Sequence, residues 1–483
     1  MNNKVLGIVK NLSYTFVANI VGTLLSVILV ALVPKRLGTV EYGYWQLYVF
    51  YTSYVGFFHF GWIDGILLRY GGREYKELDK SMFHSQFWML SVIELLITLL
   101  FSGGVLLFYP NADKTFILLM TALCCVVVIP RTFIQYVLQA TNRIQEYAKN
   151  QLFEKVIYAA VVVVLLIAGT KDYKALLLAD IGAKLITLIT ICLHCKEIIF
   201  HKSARFVESL QEAWTNISVG VKLLFANIAG MLIIGIVRFS IERTWSVEVF
   251  GKVSLTMSVS NLMMLFINAV SVVMFPVLKR TPQERWAGSY TRLRGLLVTP
   301  MLGLLVLYYP AKVILSMWLP QYAESLHYMA LLFPMCLFEG KMSMLINTYL
   351  KALRRENWMM VVNMASVALS LLLSGIVISW LQNLELAVLS ILVLLAFRCV
   401  FAELVLARVL EIRVGFNLIL ELVMTVAFVC FSWLLGGWIG CLCYLVAYGV
   451  YLLIKRADVK DMFGLVKSAF RPSAPAKSED GAA

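Results

Sequence analysis

Charge is what this sequence has least of. Only 14% of its 483 residues are Asp, Glu, Lys or Arg, against about 25% in a soluble globular chain. Hydrophobic residues make up 61%. No core in water buries that much apolar surface, so a soluble fold is excluded and the solvent for most of the chain is lipid. Long polar segments are missing as well. No connection between apolar runs is long enough to hold a catalytic domain, which argues against an enzyme built on an external loop. Cysteine is almost absent outside the apolar runs, Cys195 being the exception among the nine. Cys192 and Cys195 form a CxxC without a second ligand pair, so no metal site is expected. The first apolar stretch carries Asn11, Asn19 and Ser26 and is followed by further spans, so it reads as a retained helix rather than a cleaved signal.

What is there is a series of apolar runs of spanning length. A helix needs about 20 apolar residues to cross the hydrocarbon. The expected spans are 12–33, 44–67, 86–109, 116–138, 153–168, 175–194, 219–239, 251–275, 293–309, 326–350, 359–381, 386–406, 418–435 and 438–454. The fold class is therefore all-α, a polytopic membrane protein of about fourteen transmembrane helices. The net charge of +14 could suggest nucleic acid, but the basic residues sit at span ends. With the N-terminus cytoplasmic, the termini and even-numbered connections hold roughly 28 Lys/Arg and the odd ones roughly 7, the positive-inside pattern. Both termini are then cytoplasmic. Tryptophans near span ends, such as Trp45, Trp245, Trp318 and Trp438, suit the interface. The stretch around Phe206, Leu210 and Trp214 is expected as a surface helix, and the tail from Arg471 as disordered.

The first and seventh spans resemble each other. Residues 18–22 (ANIVG) align with 226–230 (ANIAG), and Tyr42-Gly43 falls on Phe250-Gly251 without a gap. A weaker echo joins 138–140 to 350–352. The expected organisation is an N-terminal six-helix lobe at 1–194, a cytoplasmic linker at 195–218, a C-terminal six-helix lobe at 219–406, an additional helix pair at 407–454 and a cytoplasmic tail at 455–483. Six helices per half give both halves one orientation, the parallel repeat found in alternating-access transporters.

Function is sought among residues that are expensive in lipid, where a charge near the bilayer centre costs about 2.5–3.5 kcal/mol. The spans hold Glu94, Arg131 beside Pro130, Asp180, Lys184, Arg238, Glu339, Lys341, Arg398, Glu403 and Glu421. Asp180 and Lys184 are four apart and share a face, so they can pair. Glu339 and Lys341 point to different faces. Arg238 can pair with Glu242, and Glu421 lies near a helix end with no role expected. Asn11, Thr15, Asn19, Gly22 and Ser26 form one polar stripe, and Ser254, Ser258, Asn261 and Asn268 another. Such stripes serve helix packing or line a hydrated cleft. The candidate substrate-binding set is Asn19, Arg131, Lys184, Asn227, Arg238, Asn261, Asn268, Lys341 and Arg398. Its bases suit an anionic group, phosphate above all for arginine, and its amides suit sugars.

The chain resembles the polysaccharide (O-antigen and capsule) flippases of the multidrug/oligosaccharidyl-lipid/polysaccharide exporter superfamily. The matching stretches are Leu37-Gly38 with Tyr42-Gly43, 60–72 (FGWIDGILLRYGG), 138–148 (LQATNRIQEYA), 275–280 (FPVLKR), 319–334 (LPQYAESLHYMALLFP) and 347–357 (NTYLKALRREN). The resemblance covers about 350 residues and implies two pseudo-symmetric six-helix lobes. It also implies a lipid-linked oligosaccharide as substrate, moved from the cytoplasmic to the outer leaflet of a bacterial inner membrane, with no cofactor. Expected partners are that substrate, membrane lipids, a coupling proton or sodium ion and a pathway polymerase. The alternatives are a cation-coupled multidrug-type antiporter of the same superfamily, a polytopic sugar polymerase or ligase, and a membrane scaffold. Glu94, Asp180 and Glu339 are the candidate coupling carboxylates. Glu94 leads because no base lies three or four residues away, and an unpaired buried carboxyl favours its neutral form.

Overall fold

The structure, a computed structural model, describes residues 3–264 and 286–456, with side chains from Ile20 onward except that of Glu356. It contains only helices and turns among these residues. Eleven helices are long and apolar enough to cross a membrane. They are α4 (Lys80–Phe108), α5 (Ala112–Ala140), α6 (Ile144–Ile167), α7 (Tyr173–His194), α8 (Phe206–Thr244), α10 (Trp286–Trp318), α11 (Ser325–Ala352), α12 (Asn357–Trp380), α13 (Leu384–Val409), α14 (Gly415–Leu435) and α15 (Gly437–Ile454). The first, second and eighth expected spans are α1 (Asn3–Arg36), the pair α2 (Thr39–Thr52) and α3 (Trp62–Tyr70), and α9 (Val247–Leu262). The count of fourteen is thus met. Exposed large apolar side chains run along most of the spanning helices, Leu99, Leu107, Ile167, Leu372, Val426 and Leu442 among them. In water such surface is a liability, and in lipid it is the solvent contact.

Two expectations change. The stretch around Trp214 is not a separate surface helix. It is the first third of the 39-residue α8, continuous with the seventh span. Its outward side carries Phe206, Leu210 and Trp214, while Ser209, Ala213 and Asn216 are buried. A single turn at Lys196–Ile199 precedes it. The second span is not one helix either. It stops at Thr52, passes through a 3₁₀ turn at Val55–Phe57, and restarts at Trp62. Phe60 (φ 53°) and Gly61 (φ 84°) both take left-handed backbone there, which only glycine adopts without cost.

By contact the chain divides into two compact units. One comprises Met1–Leu262, Ser316–Ser325 and Asn363–Ser390, and the other comprises Met263–Leu315, Leu326–Val362 and Ile391–Ala483. In the first unit backbones approach closely where glycine permits it. A Cβ on Gly65 would lie 1.9 Å from the Asn216 carbonyl oxygen, one on Gly220 2.0 Å from the Gly61 oxygen, and one on Gly43 2.3 Å from the Val247 oxygen. Small residues at helix crossings are how helices pack when lipid offers no hydrophobic drive. Among the eleven, α5 is the most enclosed helix of this unit and α11 of the other.

Candidate functional site

The charged groups at membrane depth fall into two kinds, neutralised and not. In the second unit four helices meet at a closed ring. Arg294 of α10 reaches Glu403 of α13 at 2.7 Å and Glu421 of α14 at 2.6 Å. Lys341 of α11 reaches the same two carboxylates at 2.8 and 2.5 Å. Tyr290 donates to Glu403 at 2.8 Å. Two cations face two anions, and no member is more than 4% exposed. Each carboxylate oxygen has a donor, the condition for burying ions without losing stability. Just past Lys341 the helix widens into a π-type turn over Met342–Ile346. Glu339, two residues before Lys341, points elsewhere and meets Arg398 of α13 at 3.5 Å. Lys341 is therefore a structural cation here, and Glu421 is a ring member rather than an idle helix-end residue.

In the first unit two of the candidate cations are neutralised. Arg131 of α5 pairs with Glu154 of α6 and donates to Thr187 of α7 at 3.1 Å. Beside it Gln135 donates to Asn150, and Asn150 to the Thr187 carbonyl. Lys184 pairs with Asp180, as their spacing predicts, and Tyr48 donates to Asp180 at 2.6 Å. Of the three candidate coupling carboxylates, Asp180 and Glu339 thus have bases. Glu94 of α4 has none. It is fully buried, Cys125 donates to its Oε2 at 3.4 Å, and its Oε1 has no partner.

Arg238 of α8 differs from the other candidate bases. Its expected partner Glu242 is taken instead by Lys114 at 2.5 Å, with Arg243 at 3.5 Å. The Arg238 guanidinium lies 4.6 Å from the Phe50 ring centre and 5.2 Å from that of Phe250. One Nη donates to Ser254 at 3.0 Å, while Nε is buried without a partner. A cation over aromatic faces is attracted by their quadrupole, but that leaves its charge uncancelled and its donors open. Asn227 and Asn261 are both exposed. Asn268 and the side chain of Asn19 lie outside the described residues.

Lys155 was not singled out from the sequence. It sits midway along α6 and forms no ion pair among the described residues. Its Cδ would lie 2.8 Å from a Cβ on Gly22, so its stem crosses the polar stripe of α1. The fifth span reads as starting at 153, which puts Lys155 at a span end. The helix instead begins at Ile144. A cavity of about 370 Å³ at the ends of α6 and α7 is lined by Glu146, Lys149, Asn150 and His194. There Glu146 is paired with Arg143 and His194.

These helices define a polytopic membrane protein that is helical throughout its described residues. The fold is that of a solved lipid II flippase, MurJ in an inward closed conformation. The similarity has a TM-score of 0.65 at 14% identity and covers 92% of this chain and 99% of that one. The chain belongs to the polysaccharide biosynthesis protein family, whose model matches residues 8–282, more than half its length. It is also similar to an outward-facing multidrug resistance MATE family transporter of the MOP superfamily (TM-score 0.48, 12% identity, 83% and 96% of the two chains). A MOP superfamily transporter from Pyrococcus furiosus is a third (TM-score 0.40, 10% identity, 84% and 94%). No curated protein matches the sequence.

Proposed function

We propose that this protein is a flippase for a polyprenyl-diphosphate-linked oligosaccharide, an O-antigen, capsule or exopolysaccharide repeat. It carries the head group from the cytoplasmic to the outer leaflet of a bacterial inner membrane while the lipid tail stays in the bilayer. The cycle is alternating access by two six-helix lobes, with both termini cytoplasmic and the additional helix pair at 407–454 beside them. It is not an enzyme and needs no cofactor.

The observation that carries this reading is Arg238, an intramembrane arginine with no carboxylate partner and an unsatisfied donor among the described residues. An unneutralised arginine at that depth is costly, and a diphosphate is the ligand whose paired oxygens its planar fork fits. Lys155 offers a second unpaired cation. Membership of a polysaccharide biosynthesis family supports a saccharide rather than a drug. A cation-coupled antiporter for small molecules remains the alternative, and the neutral environment of Glu94 is what favours it. With Asp180 and Glu339 paired to bases, Glu94 is the one member of the candidate coupling set without a basic partner among the described residues. The amides of Asn19, Asn227, Asn261 and Asn268 are the proposed sugar contacts.

The test is transbilayer movement of a lipid-linked oligosaccharide in reconstituted vesicles. Wild type is expected to move it and Arg238→Met to fail while remaining folded. Equal rates for the two would remove Arg238 from the substrate path.

A further inference from the structure

The break in the second span contains a pair of titratable side chains that sequence reasoning passed over. His59 lies in the turn between α2 and α3, and Asp64 lies in the first turn of α3. They are 5% and 3% exposed, and His59 Nε2 stands 3.9 Å from Asp64 Oδ2. The Gly61 backbone N–H donates to His59 Nδ1 at 3.1 Å. That bond fixes the tautomer: Nδ1 is the acceptor, so the neutral ring carries its hydrogen on Nε2, toward Asp64.

Beyond His59, the surroundings supply no opposing ion among the described residues. From α5, Tyr136 is the titratable group beside Asp64, and Arg131 is closed off by Glu154. From α8, Glu212 is held by Arg69 and Tyr70, and Lys222 is exposed. From α2, Tyr51 donates to Glu242. From α4, Gln86 accepts from Trp62.

A buried aspartate whose nearest base is a neutral imidazole at 3.9 Å is costly as an anion and cheap as an acid. Here it sits where the spanning helix is already broken. Breaks of this kind at membrane depth are tolerated where the backbone is enclosed by protein, and transporters place ion sites at them. The break is also mechanically connected. Gly61 and Gly65 press on Gly220, Val221 and Asn216 of α8, the helix that carries Arg238. A change in the break cannot occur without a response in α8.

We infer that the His59–Asp64 pair at the break in the second span is a proton-binding site, with Asp64 the carrier and His59 its positioning residue. One proton from water adds to an Asp64 carboxylate oxygen and takes the site from −1 to 0. Release reverses the step. The charged carboxylate attracts the His59 Nε2–H across the break, and the neutral acid does so weakly. Protonation therefore loosens the tie between the turn and the first turn of α3. The inference deepens the transporter reading and rests on it for the role of the proton in transport. It does not rest on it for the existence of the site.

The experiment uses the full chain in vesicles with two readouts. The first is the infrared difference spectrum between alkaline and acid pH, which shows the C=O stretch of carboxyl groups as they protonate. One such band is expected to vanish in Asp64→Asn, to shift in His59→Asn and to persist in Glu94→Gln. His59→Asn keeps a side-chain acceptor for the Gly61 N–H and so tests the ring if Asp64→Asn does not fold. The second readout is transport of the lipid-linked oligosaccharide with and without a pH gradient. Asp64→Asn is expected to lose the gradient dependence. A wild-type protein that moves no such lipid but shows the Asp64 band would sink the flippase reading and leave the proton site standing. An Asp64→Asn spectrum identical to wild type would overturn the site. So would gradient dependence kept in Asp64→Asn and lost in Glu94→Gln.

Discussion

The two compact units handle intramembrane charge differently. The unit containing Lys341 gathers its deepest ions into a ring in which every charge is cancelled twice. The unit containing Arg238 is drawn together by glycine contacts at Gly43, Gly61, Gly65 and Gly220. It pairs Arg131 and Lys184 but leaves Arg238 and Lys155 without a carboxylate among the described residues. A cancelled charge is scaffolding, because moving any member strands its partners. An uncancelled charge contributes nothing to the fold that an apolar side chain could not, so its cost requires another explanation. The location of unpaired charge is therefore a better guide to function than the location of charge.

The sharpest way to break this comparison is to open the ring. Glu403→Gln or Lys341→Met leaves an uncompensated buried ion and is expected to cost about 3–5 kcal/mol, read as loss of the folded protein in a thermal melt. Lys341→Met combined with Glu421→Gln removes one charge of each sign and should recover part of that loss. If the single variants melt like wild type, the ring is not scaffolding. Arg238→Met should do the reverse. Its melting is expected to stay within about 1 kcal/mol of wild type, because no ion pair is lost. Substrate movement should fall by about tenfold or more, the worth of one charge-assisted hydrogen bond of about 1.5–3 kcal/mol. Arg238→Lys keeps the charge but not the fork, and is expected between the two.

Gly65→Ala sharpens the other half of the comparison. The new methyl would meet the Asn216 carbonyl, and overpacking of this kind costs about 1–3 kcal/mol. Gly72, unlike Gly65, has positive φ and open space around it, so Gly72→Ala tests backbone strain alone and should cost less. A larger loss at Gly72 would mean that conformation, not close approach, makes glycine necessary in this unit.

Much of this was legible in the sequence. The number of spans follows from runs of apolar residues, and the Asp180–Lys184 pair from their spacing of four, since both depend only on local geometry. The ring was not legible as a ring. Arg294 lies in a run of bases that the positive-inside pattern explains, and its partners Glu403 and Glu421 are 109 and 127 residues away. Helix spacing permits Arg238 to pair with Glu242, yet Lys114 from another helix holds that position. Spacing shows which residues can meet on one helix and is silent about competitors on the next. His59 and Asp64 were hidden by a span that reads as one apolar run, and only the break at Phe60 and Gly61 brings them out.

The smallest expected effect concerns Glu248, in the first turn of α9 and ahead of the apolar run of the eighth span. Lys252 meets it at 2.9 Å and Thr39 donates to it at 2.9 Å. Those hydrogen bonds, outweighing its slight burial, hold its carboxyl below the ordinary glutamate value. A carboxyl with a lowered folded-state pKa stabilises the fold above its unfolded pKa, and the stabilisation is lost as pH falls through the folded value. Wild type should therefore lose a little thermal stability below the usual glutamate range, and Glu248→Gln should lack that part of the acid slope. The pair is largely solvated, so the difference near neutral pH is expected at about 0–1 kcal/mol. It should shrink further in high salt, because exposed pairs are screened. The ring in the other unit is shielded from salt by burial, and Lys341→Met should cost as much at high ionic strength as at low. A Glu248→Gln loss that matched the Lys341→Met loss, or that ignored salt, would show that burial is not what separates structural charge from incidental charge in this protein.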